Sequence, residues 1–83
     1  MAVLQYPIAT EKALNMVESR NTITYVVNMD ADKKAIASEF ENIFKVKVSS
    51  INTTISSVNQ KKAYIRLKPE YPASDIAKKL KLV

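Results

Sequence analysis

Residues 59–69 read NQKKAYIRLKP, a run with the texture of a β-strand that carries four cations between Lys61 and Lys68. With the two-residue period of a strand, Ala63, Ile65 and Leu67 fall on one side and Lys62, Tyr64, Arg66 and Lys68 on the other. One side suits a core. The other is a cationic stripe with an aromatic in it, where a merely soluble strand would mix signs or use Ser and Thr. The reading of this strand decides the fold, because it fixes a sheet with one apolar and one basic face.

The charge is concentrated around it. The chain has 83 residues, 13 Lys and Arg against 8 Asp and Glu, and a net charge of +5. From Lys45 to Lys68 there are six cations and no acid, the flanking acids being Glu41 and Glu70. A hairpin selected only for solubility would gain from opposite charges across its strands. This one forgoes that gain, which an anionic partner would make good. A second cluster, Lys78, Lys79 and Lys81, suits the C-terminal dipole of a helix.

Working outward, SVNQ (57–60) reads as the tip of a hairpin, with Asn59 as the residue at positive φ, since the chain contains no glycine. VKVSSINTTIS (46–56) is the partner strand. Its apolar phase slips between Val46 and Val48 on one parity and Ile51 and Ile55 on the other, so a bulge is expected near Ser49 and Ser50. Upstream, ADKKAIASEFENIF (31–44) carries Ile36, Phe40, Ile43 and Phe44 on one helical face, with Asp30 as its expected cap. NTITYVVNM (21–29) alternates as a strand. ATEKALNMVES (9–19) reads as a helix capped by Thr10, behind a short extended segment that ends at Pro7. PASDIAKKLKL (72–82) reads as a terminal helix with Pro72 in its first turn.

The expected order is strand, helix, strand, helix, strand, strand, helix: an α+β fold in one domain over residues 1–83. No apolar run reaches the length of a signal-peptide core or a membrane span, and there is no cysteine, so a cytoplasmic protein without disulfides or membrane insertion is expected. With no histidine, no cysteine and no glycine, the chain lacks the commonest general base, thiolate ligands and phosphate-cradling glycine loops. An enzyme, a cofactor, a metal site and a small-molecule substrate are therefore not expected. Two readings remain, an RNA-binding protein and a small basic α+β protein-interaction module not bound to RNA.

Several motifs resemble one family, the universal large-subunit ribosomal protein numbered twenty-three, found at the rim of the polypeptide exit tunnel. YPIATEKALN resembles its opening, with Pro7 three residues before Thr10-Glu11-Lys12. NTITYVV is similar to its first long strand, and VKVSSINTTI to the strand carrying an Asn-Thr pair, here Asn52 and Thr53. The closing signature of paired bases, a small residue, alternating apolars and Leu is read here in Lys61-Lys62-Ala63-Tyr64-Ile65-Arg66-Leu67-Lys68, with Ile76 following. The resemblance implies a three-layer α/β/α sandwich with a four-stranded antiparallel sheet, bound to large-subunit rRNA and to neighbouring large-subunit ribosomal proteins.

Carried over by position, Thr10, Lys12, Asn52, Thr53, Lys61, Lys62 and Arg66 would contact rRNA. Tyr64 and Lys68 join them from the stripe itself. The family docks nascent-chain factors near its first helix, and Glu11, next to the capping Thr10, corresponds to the docking acid for the bacterial chaperone. The tight hairpin SSVNQ is similar to the archaeal and eukaryotic type, so signal recognition particle or the nascent-polypeptide-associated complex is the implied docking partner.

Overall fold

The computed structural model describes residues 3–56 and 58–80. In chain order these form β1 (Leu4–Pro7), α1 (Glu11–Arg20), β2 (Thr22–Val27), α2 (Lys33–Phe44), β3 (Val48–Ile55), β4 (Lys61–Leu67) and α3 (Ala73–Lys79). The strands make one antiparallel sheet in the order β1-β2-β4-β3. The expectations for Met1, Ala2, Ser57 and Lys81 to Val83 lie outside the described residues.

The sheet's two faces follow from register. Ile23, Ile65 and Ile51 pair in a row across β2, β4 and β3, with Tyr25, Ala63 and Thr53 in the next row of the same face. α2 covers this face: Ile36 and Phe40 are fully buried, and Phe40 meets Tyr25 edge to face with ring centroids 6.4 Å apart. Phe44 stacks on Phe40 at 4.6 Å. On the opposite face, α1 lies over β2, so every β2 side chain is buried although its even residues are Thr22, Thr24 and Val26. α3 packs on α1 and β2, adding Ala73, Ile76 and Ala77 to the core with Val17 of α1. Helices on both faces of one sheet make three layers.

Four details depart from the sequence reading. The cap of α2 is Asp32, whose Oδ1 accepts from Ala35 N at 2.7 Å, and not Asp30. Asn28 holds a turn first, with its side chain accepting from Asp30 N and its carbonyl from Ala31 N, which moves the helix start along the chain. Ile43 is 54% exposed because the Phe40–Phe44 pair fills the seam and leaves the flank of α2 open. β3 begins at Val48 and not at Val46. Pro72 stands one residue before α3, at the cap, and not inside its first turn.

The slip in β3 is the expected bulge: Val48 pairs with Leu67, and Ser50, not Ser49, pairs with Arg66. Ser49 is the extra residue. Asn59 does adopt the left-handed conformation, with φ 57°, and the loop over 56–60 is closed by Ser56 N donating to Gln60 O at 2.8 Å.

Two further left-handed residues end helices: Lys45 after α2 (φ 57°) and Asn21 after α1 (φ 52°). Asn21 also ties distant parts together. Its side-chain amide donates to Leu67 O (3.2 Å) and Tyr71 O (3.0 Å), with Lys68 O a longer third acceptor at 3.3 Å. Its Oδ1 accepts from Ala73 N at 2.6 Å, and its own carbonyl accepts from Leu67 N. Replacing Asn21 by Ala removes the side-chain bonds and imposes a left-handed Cβ, and should cost about 2–4 kcal/mol in urea unfolding. Gly at this position restores only the backbone part, about 1 kcal/mol.

Burial of Tyr25 raises its phenol pKa above 10.0 by desolvation. The unfolded chain then loses this proton at lower pH than the folded one, so the contribution is intact below pH 10 and is lost as pH rises through the folded value. In a denaturation series from pH 8 to 11, Tyr25→Phe should show a smaller alkaline loss of stability than the parent.

A cationic groove between helix and sheet

The face opposite α2 is built in three rows. Val26, Lys62 and Thr54 pair across the sheet, then Thr24, Tyr64 and Asn52, then Thr22, Arg66 and Ser50. α1 covers the β2 end of each row and leaves β4 and β3 uncovered, which makes a groove along the helix. α1 runs in this direction because Thr10 starts it, Oγ1 accepting from Ala13 N at 3.2 Å, and Asn21 stops it.

Along α1, Lys12, Met16 and Arg20 are spaced by four and share one side. Along β4, Lys62, Tyr64 and Arg66 alternate onto the groove side. The two series match in pitch. Eight helical residues rise about 12 Å and four strand residues about 13 Å. Lys12 and Lys62 therefore line one hollow, which also includes Thr10, Thr24, Met16 and Tyr64. Arg20 and Arg66 line the next, with Thr22, Ser50 and Asn52 and again Met16 and Tyr64. The shared Met16 and Tyr64 make the two hollows one groove with a cation pair at each end.

No carboxylate lines either hollow. Among the described residues none of the four cations forms a salt bridge, so their charge is not neutralised within the chain. The hollows measure about 150 and 110 Å³, below the several hundred Å³ of a pocket that encloses a small molecule. A shallow trough with cations on both walls and hydroxyl and amide groups on its floor suits a backbone of phosphates and sugars.

The sequence candidates divide between the two faces. Thr10, Lys12, Asn52, Lys62, Tyr64 and Arg66 meet in the groove. Lys68 is exposed just past the end of β4, its amide donating to Lys47 O at 3.1 Å. Thr53 and Lys61 lie on the α2 face: Thr53 pairs with Ala63, and the Lys61 ammonium donates to Ala31 O at 2.6 Å. That bond fills one donor of Lys61 with the chain's own backbone. Glu11 is exposed in the first turn of α1 and lines neither hollow.

Arg20 and Thr24 were not singled out from the sequence. The spacing of four from Lys12 through Met16 to Arg20 was visible there, but nothing along the chain tells which side of α1 meets β4. Tyr6 was also unforeseen. It pairs with Val26 on the groove's face of the sheet, 47% exposed, its phenol oxygen accepting from Gln60 Nε2 at 2.6 Å.

The family model for ribosomal protein L23 matches residues 2–64. The chain belongs to the ribosomal protein L23 family. Members are structural, non-enzymatic proteins of the large ribosomal subunit, and the chain is accordingly a ribosome-associated component of translation. The matched span includes α1, Lys62 and Tyr64, while Arg66, Lys68 and α3 lie beyond it. Among the described residues of this L23-family chain, no helix is long and apolar enough to cross a membrane.

Because β4 packs through Ala63, Ile65 and Leu67, charge changes at Lys62 and Arg66 spare the core. Lys62→Glu combined with Arg66→Glu should keep the parent's circular dichroism and cooperative melting. Its retention on an rRNA fragment in a filter-binding assay should fall below detection.

Proposed function

We propose that the chain binds large-subunit rRNA through the groove between α1 and β4 and serves there as a structural constituent of the subunit at the rim of the polypeptide exit tunnel. The observation that carries this reading is the pair of cation rows, Lys12 with Arg20 and Lys62 with Arg66, on the two walls of a trough with no acid. Phosphate contacts supply most of the affinity in such an interface, and Asn52, Ser50 and the Tyr64 ring supply hydrogen bonds and stacking to the sugar and base.

The short connection between Ile55 and Lys61 supports a hairpin of the archaeal and eukaryotic kind. Glu11 projects from the start of α1 outside the groove and stays free for a nascent-chain factor, signal recognition particle or the nascent-polypeptide-associated complex, when RNA fills the trough. Neighbouring large-subunit proteins would cover surfaces outside the groove, in a ribosome-bound, cytoplasmic setting.

About five phosphates are within reach of Lys12, Arg20, Lys62, Arg66 and Lys68, so log affinity should fall against log salt with a slope of roughly −3.5 to −4.5. A titration on a large-subunit rRNA transcript measures it. A slope near zero, or no retention of RNA in low salt, would leave the basic protein-interaction module as the better account.

A further inference from the structure

β2 sends two threonines into the groove, and their hydroxyls differ. Both residues are 4% exposed. Thr22 donates its hydroxyl to Arg20 O at 2.9 Å, whereas Thr24 Oγ1 is buried with no hydrogen-bond partner. Nearly all buried hydroxyls are paired, and an orphan at the floor of a hollow asks what completes it. The neighbouring position on the same face, Val26, is apolar and equally buried, so a hydroxyl is not needed to build this part of the strand.

Around Thr24 the hollow is apolar on Ile8, Ala13 and Met16 and polar on Thr10, Lys12, Lys62 and Tyr64, and both charged groups are cations. Its hollow opens at the N-terminus of α1, a helix of ten residues. The first amides of a helix have no acceptor within it, and here the Thr10 side chain takes only that of Ala13. The amides of Glu11 and Lys12 are left at the positive end of the helix dipole. Lys12 of α1 and Lys62 of β4 line the hollow from its two walls, and Glu11 is not among the lining residues. Lys12, Lys62 and the Thr24 hydroxyl border a small space with no carboxylate, which suits one compact oxyanion.

Resting on the RNA-binding reading above, we propose that this hollow seats a single phosphodiester of the RNA, held at the start of α1 by the backbone amide and side chain of Lys12, by Lys62, and by a hydrogen bond from the Thr24 hydroxyl to a phosphate oxygen. The Thr24 hydroxyl is closed to solvent in the free chain, so seating the phosphate requires side chains that line the hollow to move aside. The opposite end of the groove lacks both a helix N-terminus and a buried unpaired hydroxyl, so Arg20 and Arg66 act there as ordinary charge contacts.

Thr24→Val keeps the shape and the charge and removes the orphan group. The variant should melt no lower than the parent and bind the rRNA transcript roughly tenfold more weakly, since a hydrogen bond to a charged group is lost. Its salt slope should equal the parent's. Lys62→Gln should instead make the slope shallower by about one. Inorganic phosphate, titrated at constant ionic strength, should shift the amide resonances of Lys12 and Thr24 in a saturable way. Parent affinity in Thr24→Val, or phosphate shifts spread evenly over the surface cations, overturns the seat while a steep parent slope leaves RNA binding standing. A flat parent slope removes both.

Discussion

The structure depends on one side chain, Asn21. It ends α1 in a left-handed turn just before β2, receives the last amide of β4 on its carbonyl, and holds the 68–73 segment by both ends of its carboxamide. A glycine could make the turn, but only a side chain with a donor and an acceptor can bind Leu67, Tyr71 and Ala73 together. The position of α1 over β2, and of Arg20 beside Arg66, follows from this knot. The direction of α3 follows as well.

From the knot comes the asymmetry that makes a site. β2 is a central strand buried on both faces, by α2 on one and α1 on the other, while its neighbour β4 and the edge strand β3 are covered on the α2 face alone. The uncovered half carries the charge. Cations on one wall would repel each other weakly across about 12 Å of screened solvent, near one Debye length. Cations on two walls of a narrow trough reinforce a field that a linear polyanion can occupy along its length. Tyr64 and Met16, at the centre, keep the two ends apart and give the trough an apolar midpoint.

Much of this was legible along the chain. The two-residue period of β4 gave the split between Ala63, Ile65, Leu67 and Lys62, Tyr64, Arg66, and the parity slip in β3 gave the bulge at Ser49. Local chemistry at Thr10 and Asn59 was equally direct. What was hidden is tertiary. Parity sets Lys61 and Thr53 on the face opposite Lys62 and Arg66, and their pairing with Val27 and Ala63 agrees, whereas it is the family motif that counts them among the contacts. Arg20 and Thr24 become part of the groove only because α1 lies where Asn21 puts it. Asn21 itself looked like the first residue of a strand, since its partners are more than forty residues away in sequence.

The missing glycines reach beyond turn geometry into the unfolded ensemble. Among the described residues each left-handed position is held by Asn or Lys, at a cost of about 1–2 kcal/mol in the native state. In exchange, the disordered chain nowhere has the extra backbone freedom of glycine, and it has less conformational entropy to surrender on folding. For a domain of 83 residues with a single modest core, stiffness in the denatured chain stabilises the native state as surely as another buried side chain would.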